Sequence, residues 1–460
     1  MCGLFTKHAL NAAAHEERSI LTTGISKVTY MKKWVLMISM IAAASSWVAF
    51  SAPAREAAPP AEVAVLPQGV SSIPENATPS YKNNAFALNL LKAGWNDTEN
   101  IFLSPYSIGT ALAMLESGAR GETAQELAHV LCWEKPGKPI LEAFSETQKE
   151  LQKAPKRIRP LRNVEEMLSL SLANSLWPSE SFPFYPDYID SMKKHLDAEI
   201  HLSDYQNPEE VRTRINDWTA EHTRDKIKDL IQPGVLDPIT RMVLVNAIYF
   251  KGQWIHSFDK RATAEDEFIT CDGSRKKVPF MNKLETYPYY EDSELQVLSL
   301  PYHGNLSMKI FLPKDARKLA EVKKSFCEGG FQTWTKAMKQ RSVKVKIPKF
   351  KMEKRLDLND LLTQLGAGSI FSEQKANFGG MYNRADFLFN LYVSKVIHQA
   401  FIDVDEMGTE AAAATAIVMK MRSALPPQAE VSFVADHPFL FVLQDDVTGY
   451  ILFAGQMLQP

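Results

Sequence analysis

Helical and strand-like hydrophobic patterns occupy different parts of this sequence, and that order limits the folds open to it. Apolar residues recur at helical spacing in stretches between residues 84 and 231, whereas short apolar runs follow from Met242 onward. The run 242–250 is almost wholly apolar, as expected of a strand buried on both faces. Strands and helices do not alternate, which argues against a doubly wound α/β sheet. The pattern predicts an α+β fold.

Two later segments predict particular strands. The triplet His303-Gly304-Asn305 separates two apolar runs and indicates a hairpin turn. Residues 342–350 alternate valine and isoleucine with lysine, which predicts a strand with one face exposed.

The first 54 residues have the pattern of a secretory leader. In the signal core 31–50, the charged start Met31-Lys32-Lys33 precedes an apolar stretch from Trp34 to Phe50, and small residues and proline follow through Ala54. An apolar run of 17 residues is at the lower limit for a spanning helix, so an uncleaved anchor is the alternative. We expect no anchor, and secretion to the extracellular space, or to the periplasm if the source is bacterial. Residues 1–30 precede a second plausible start at Met31 and are either an extended signal or a wrongly assigned start.

The rest of the chain divides simply. Residues 55–80 are rich in alanine, proline, glutamate and serine, which predicts a flexible lead-in. Residues 81–460 hold no linker long enough to separate two domains. Without the leader three cysteines remain, and they lack the spacing of a disulfide framework or a zinc site. Three Asn-x-Ser/Thr triplets would accept glycans in a eukaryote and mean nothing in a bacterium: Asn76, Asn96 and Asn305.

Charge gives no general reason to expect nucleic acid as a partner, because the formal net charge is −2. One local basic cluster would suit a bound polyanion, such as a sulfated polysaccharide, acting as an accelerator of whatever the protein does. Such clusters are more often solvated loops. Its members are Lys153, Lys156, Arg157, Arg159 and Arg162.

No motif for catalysis is present. The sequence lacks a nucleophile elbow, a zinc-binding helix, a P-loop and a dinucleotide-binding turn, so we predict neither an enzyme nor a bound cofactor or metal. His398 lies in an apolar stretch and is expected to be a buried, hydrogen-bonded histidine rather than a base.

The segment 403–427 is the most informative. Its four consecutive alanines favour a helix by propensity, whereas Gly408 interrupts the start of a helix and Ala416-Ile417-Val418 favours β structure. As a strand, alternate residues from Thr409 to Met421 are uncharged and mostly small, and the charges before Arg422 lie on the other face. Such a segment suits insertion between existing strands with one side buried.

Arg422-Ser423 follows this segment, and a proline pair at 426–427 keeps the chain extended. An arginine on an exposed, extended loop suits proteases with an acidic specificity pocket. The alternative is an ordinary surface loop that happens to contain arginine.

Several motifs resemble the serpins over residues 81–460. The similar segments are 100–107 with 111–123, 170–177, 240–254, 300–308, 437–441 and the hinge 406–415. The resemblance implies one domain with a large central sheet, two smaller sheets, about nine helices and an exposed reactive loop at about 406–427. It also implies a monomer.

The resemblance further implies a mechanism. A protease would attack Arg422 and form an acyl bond to it, and the cleaved loop would insert from Gly408 onward as a central strand. Inhibitory members carry the scissile residue sixteen positions after the hinge glutamate, and that position after Glu406 is Arg422. The target would be a trypsin-like serine protease, with Lys420 as the runner-up bait. A non-inhibitory carrier, chaperone or precursor is the alternative.

The resemblance also assigns supporting residues. The implied hinge consists of Glu406, Gly408, Thr409, Glu410, Ala411, Ala412, Ala413 and Ala414. The implied shutter and breach residues are Ser104, Ser107, Asn246, His398, Trp254 and Lys349. Asn246 and His398 resemble the pair that holds the main sheet closed, with ordinary buried polar residues as the alternative. Lys349 and Glu406 resemble the ion pair at the top of the sheet. This chain departs from the family pattern at Met407, where a charged residue is usual.

Overall fold

The computed structural model describes residues 73–74, 76–157, 167–409 and 429–460, all within one compact unit, Pro60–Pro460. Nine α-helices lie in these ranges: α1 Pro79–Gly94, α2 Pro105–Gly118, α3 Gly121–Val130, α4 Lys138–Leu151, α5 Pro186–Leu196, α6 Pro208–His222, α7 Leu319–Ser325, α8 Phe331–Ala337 and α9 Asn359–Gln364. The leader, residues 1–54, and residues 55–72 lie outside the described ranges.

Fifteen strands lie in the same described ranges. They are β1 Ile101–Leu103, β2 Leu168–Pro178, β3 Glu199–Ile200, β4 Met242–Gln253, β5 Ala264–Ile269, β6 Arg275–Glu291, β7 Leu295–Tyr302, β8 Leu306–Pro313, β9 Lys339–Pro348, β10 Phe350–Asp357, β11 Lys395–Asp405, β12 Gly408–Thr409, β13 Val431–Val434, β14 Phe439–Asp445 and β15 Ile451–Met457.

The strands form two sheets. One has six strands in the order β10-β11-β12-β4-β2-β3, and the other has nine in the order β1-β15-β14-β8-β7-β6-β9-β13, with β5 paired to β6. The predicted α+β class is confirmed. The long strand β6 pairs with β5, β7 and β9, so the two smaller sheets of the prediction are hydrogen-bonded into one.

The strand patterns of the sequence follow from this packing. In β9 the side chains of Val343, Val345 and Ile347 are buried while Lys344 is exposed, because one face of the strand packs on the core. His303-Gly304-Asn305 joins β7 to β8, whose residues pair antiparallel from Leu295 to Tyr302. The predicted hairpin is therefore present.

Helix α2 places polar side chains beneath the six-stranded sheet. Ser104 caps the helix by accepting from the Ser107 N–H, and Pro105 occupies its first turn, where a missing N–H costs nothing. Nearly every residue of α2 is buried, since the helix lies between β4 and β15. Its first turn therefore meets the centre of the sheet.

Helix α6 belongs to a second apolar cluster on the six-stranded sheet. Ile215 and Trp218 are buried together with Val243 and Val245 of β4 and Ile397 of β11. The helix is in contact with β2, the neighbour of β4 in that sheet.

The amino-terminal boundary differs from the prediction. Helix α1 begins at Pro79, inside the predicted lead-in 55–80, because the Thr78 hydroxyl accepts from the Tyr81 N–H and caps it. In the described part of the chain, no helix is both long and apolar enough to cross a membrane.

Candidate functional site

The site is the boundary between β4 and β11, which we call the slot. The two strands pair in parallel from Val243 with Lys395 to Tyr249 with Phe401. Beyond this point β12 lies between them, with Thr409 opposite Val404 on one side and Gly252 on the other. The six-stranded sheet therefore separates at one end and admits two residues of the following segment.

Gly408 is held in the sheet by a close backbone approach. A Cβ atom at this position would lie 2.0 Å from the Gly252 carbonyl oxygen and 2.7 Å from the Gln253 Cα. Its φ of +151° is a further obstacle to any L side chain. Two N–H donors, from Met407 and Gly408, bond the Asp405 carboxylate at 2.8 and 3.1 Å and fix the turn into β12. Only glycine fits here.

Thr409 is fully buried at the open end of the slot. Its hydroxyl lies 2.6 Å from the Tyr302 hydroxyl. Trp254 stacks on the Tyr302 ring with centroids 4.0 Å apart, and its indole N–H donates to the Asp405 carbonyl at 3.0 Å. A small, uncharged residue is what this enclosed position accommodates.

An ion pair lies beside the turn. The Lys349 ammonium is 2.9 Å from one Glu406 oxygen, and the Thr263 hydroxyl donates to the other at 2.8 Å. The Glu406 side chain is only 3% exposed, whereas that of Lys349 is 34% exposed. Burial would raise the pKa of Glu406, but the bonds from Lys349 and Thr263 hold it below its ordinary value. Losing Lys349 would therefore leave a buried carboxylate without its counter-charge.

A row of polar side chains crosses the middle of the sheet. Asn174 of β2, Asn246 of β4 and His398 of β11 are consecutive neighbours in the strand register. The Asn246 amide donates to Asn174, and its oxygen contacts His398 Nδ1. This polar row links three strands, including both strands of the slot.

Helix α2 completes the polar row from below. The Ser104 N–H donates to His398 Nε2 at 3.1 Å, so the ring proton lies on Nδ1 and points at Asn246. The Asn246 amide also donates to the Ser107 hydroxyl at 2.6 Å, and the Ser104 hydroxyl donates to the Leu452 carbonyl at 2.5 Å. These bonds satisfy the buried groups that would otherwise destabilise the sheet.

The histidine of the polar row is neutral at physiological pH. Complete burial lowers the pKa of His398 to about 3, and its hydrogen bond to Asn246 opposes this only in part. The ring therefore serves as a fixed acceptor and donor rather than as a base, as expected from its apolar surroundings.

Part of the predicted site lies outside the described residues. Glu410, Ala411, Ala412, Ala413 and Ala414 of the hinge, and the Arg422–Ser423 bond, belong to this part. Thr409 is the last described residue before this part, and it pairs with β4 in the six-stranded sheet. After it, Val431 of β13 pairs with Val343 of β9, which belongs to the nine-stranded sheet.

The remaining predicted residues are the three glycan acceptors and the basic cluster. Asn76, Asn96 and Asn305 are exposed. In the basic cluster, Arg157 donates to the Asp445 carboxylate at 2.6 Å and to the Glu150 carbonyl at 3.0 Å, and Lys153 pairs with Glu150. Arg159 and Arg162 lie outside the described residues.

Sequence reasoning missed three contributors: Asn174, Tyr302 and Thr263. Asn174 left a visible signal, because it is an amide in the middle of a strand-like run. Tyr302 and Thr263 left none, since each is distant in sequence from the Thr409 or Glu406 side chain that it contacts.

Comparisons with known proteins agree with this geometry. Residues 81–460 match the family described as Serpin (serine protease inhibitor). Serpin B6 of Macaca fascicularis is 40% identical over 388 residues, covering 82% of this chain and 98% of that protein. The leukocyte elastase inhibitor of Bos taurus is 36% identical over 395 residues, covering 83% and 99%. The structure of Arabidopsis AtSerpin1 in its native stressed conformation superposes with a TM-score of 0.72, at 30% identity over 85% of this chain and all of that one.

These relatives contradict the predicted location. Serpin B6 and the leukocyte elastase inhibitor belong to an intracellular branch of the family. The matches cover 98% and 99% of those proteins, which leaves no room in them for a counterpart of the 54-residue leader. The prediction that the chain is secreted is therefore wrong, and the signal-peptide and glycoprotein interpretations that depended on it lose their support.

Proposed function

Since the chain belongs to the serpin family of serine protease inhibitors, and is not an enzyme, we propose that it is a suicide-substrate inhibitor of trypsin-like serine proteases. In this proposal Arg422–Ser423 is the bait bond. The protease forms an ester between its serine and the Arg422 carbonyl, and the new amino terminus at Ser423 leaves. The loop then inserts into the slot before the ester is hydrolysed.

The observation that carries the proposal is the position of β12. Gly408 and Thr409 already occupy the first two places of a strand between β11 and β4. Continuing that strand would place one face of residues 409–421 against the core, and this face carries no charge. The new strand would gain ladder hydrogen bonds with both neighbours and bury its inner side chains, which supplies the free energy for insertion.

Arginine at position 422 supports a trypsin-like target. A trypsin-type specificity pocket carries an acidic group that pairs with the guanidinium of the cleaved residue. We propose that the chain acts as a monomer and without a cofactor. The contacts of Arg157 favour a structural role for this member of the basic cluster over polyanion binding, because its guanidinium already pairs with a buried carboxylate.

The test is incubation of the chain with trypsin, followed by denaturing gel electrophoresis. An inhibitor gives a band at the summed mass of the two proteins that survives denaturant, because the ester is trapped. Arg422→Ala is the matched control, since it removes the bait and leaves the inserting segment unchanged, and it should give no such band. If the parent chain yields only cleaved products, it is a substrate, and the non-inhibitory alternative holds.

A further inference from the structure

A cavity of about 1100 Å³ lies at the carboxyl end of α2, where helices α3, α4 and α5 begin. The other end of α2 carries Ser104 and Ser107, so the cavity and the polar row lie at opposite ends of one helix. The residues that line the cavity are separate from those of the slot. A space of this size accommodates a small organic molecule.

Much of the cavity wall is apolar. The Tyr188 hydroxyl donates to the Met114 carbonyl at 2.9 Å, so its hydrogen-bonding capacity as a donor is already used and its ring serves as wall. Tyr185, which also lines the cavity, is 40% exposed. The buried residues of the wall are Ala119, Ala124, Leu141 and Tyr188. Such walls would cover the apolar part of a ligand.

Glu116 of α2 is the buried acid of this cavity, and it is only 2% exposed. One of its carboxyl oxygens accepts from the Gly137 N–H at 2.7 Å, at the amino end of α4. Its Oε2 atom is buried and has no hydrogen-bond partner among the described residues. A buried acceptor without a donor destabilises the fold, so a bound molecule that supplied a donor would be favoured here.

The other charged groups around the cavity decide which donor suits Glu116. Arg120 donates to the Ser117 and Ala119 carbonyls at 3.2 and 2.6 Å, so its guanidinium is engaged by the end of α2. Three carboxyl groups and two permanent cations line the cavity, which favours a positively charged ligand. The charged and titratable residues that line it beside Glu116 are Arg120, Lys138 and Glu142 of α4, and Asp187 and His195 of α5.

We propose that this cavity binds a small molecule that carries a primary ammonium group on an apolar body, and that the ammonium pairs with Glu116. The carboxyl keeps its bond to Gly137 through one oxygen and accepts from the ammonium through Oε2. The apolar body lies against Leu141 and the Tyr188 ring. This site is additional to the proposed inhibition of proteases and does not depend on it.

The titration of Glu116 agrees with this site. Burial raises the pKa of Glu116 to about 7, although the Gly137 N–H and Arg120 oppose the rise. Without a ligand, the carboxylate fraction therefore increases from about one tenth at pH 6 to about nine tenths at pH 8. Because an ammonium pairs only with the carboxylate form, its affinity should increase about ninefold over this range, and binding at pH 7 should release about half a proton.

The test is isothermal titration calorimetry of the full chain with phenethylamine, whose ammonium stays charged from pH 6 to pH 8. The matched probe is 2-phenylethanol, which keeps the ring and lacks the charge. Glu116→Gln removes the carboxylate but keeps an oxygen that can accept from Gly137. Glu142→Gln is the control variant, because Glu142 is an exposed carboxylate that lines the same cavity.

We expect the parent and Glu142→Gln to bind phenethylamine at least about tenfold more tightly than 2-phenylethanol, because a charge-assisted hydrogen bond is lost in the alcohol. Their affinity for the amine should rise with pH as given above, and the heat at pH 7 should differ between phosphate and MOPS buffers because a proton is released. Glu116→Gln should lose the preference for the amine and both of these dependences. A preference that survives in Glu116→Gln, or a parent that binds the two probes equally, would overturn the proposal.

A second variant tests the location without altering Glu116. Ser191 is half-buried on α5 and lines the cavity, so Ser191→Phe would fill part of it. The affinity for phenethylamine should fall at least about tenfold, and unchanged binding would place the ligand elsewhere and refute the site. If Glu116→Gln does not fold, this variant and the pH dependence of the parent decide the question. No protease is used, so these outcomes are independent of the trapping experiment.

Discussion

His398 illustrates how much one buried side chain can contribute to the sheet. Its ring accepts from Ser104 and contacts Asn246, so it joins α2 to both strands of the slot. Because it can make these contacts only when neutral, its contribution depends on pH.

The polar row should therefore weaken in acid. The pKa of His398 falls from 6.5 to about 3 on folding, so the unfolded chain binds the proton first as the pH is lowered. Stability from this residue is complete above pH 6.5 and is lost progressively toward pH 3, by on the order of a few kcal/mol. Urea unfolding at pH 7.5 and at pH 4.5 measures the loss. The His398→Gln variant should be less stable at pH 7.5 and show a shallower decline, whereas the exposed His129→Gln should match the parent. An equal loss of unfolding free energy between pH 7.5 and pH 4.5 in all three proteins would contradict the prediction.

Sequence reasoning reached different depths at different residues. His398 and Asn246 were predicted to be partners, and the structure places them side by side in the register of β11 and β4. Asn174 was missed, because its membership of the polar row depends on the lateral pairing of β2 with β4. Gly408 was predicted for its backbone freedom, whereas its closest constraint is the approach of Gly252.

At the scale of elements, the two-residue strand β12 separates β4 from β11 at one end of the slot. Gly408 and Thr409 hold the β4–β11 boundary open at one end and set the register that further residues would follow. In that register Thr409 points into the core against Tyr302, and alternate residues after it would do the same.

Thr409→Arg should convert an inhibitor into a substrate. The guanidinium would have to replace a fully buried threonine. An unpaired buried charge lowers the stability of a folded state by about 5 kcal/mol. Insertion would then fall behind hydrolysis of the ester. The measurement is the stoichiometry of inhibition, that is, the moles of chain needed to inhibit one mole of trypsin. It should rise at least about tenfold while cleavage at Arg422 continues. Thr409→Ser, which keeps the hydroxyl near Tyr302, is the control and should stay close to the parent. Trapping by Thr409→Arg at the parent ratio would refute insertion through this register.

At the scale of the whole molecule, the two sheets are joined by the chain that runs from Thr409 to Val431. Its ends are held in different sheets, by pairing with β4 and β11 at one end and with β9 at the other. In the proposed mechanism, cleavage at Arg422 separates these two anchors and so frees the segment that follows Thr409 for insertion.

Cleavage should accordingly raise the stability of the entire domain. A cut at Arg422 lets the segment become a central strand with hydrogen bonds on both sides and with alternate side chains buried. We expect the thermal midpoint of the nicked chain to exceed that of the intact chain by about 10 °C or more, since the new strand adds several kcal/mol. Differential scanning calorimetry of the chain before and after limited tryptic cleavage measures this. The matched control is Thr409→Arg cleaved at the same bond, which should gain little. A nicked parent chain with an unchanged midpoint would remove the basis of the proposed mechanism.

The sequence alone determined the α+β class, the strand patterns, the uncharged face of 409–421 and the arginine placed sixteen residues after Glu406. These are properties of neighbouring residues, which periodicity and spacing report directly. The tertiary structure decided which strands flank β12, that Asn174 joins Asn246 and His398, and that Glu406 is buried against Lys349. It also decided that Glu199 at the sheet edge contacts Trp218 and His222 of α6. The physical reason is that each of these depends on the lateral register of segments far apart in the chain, and that register is set by packing the whole core rather than by any local pattern.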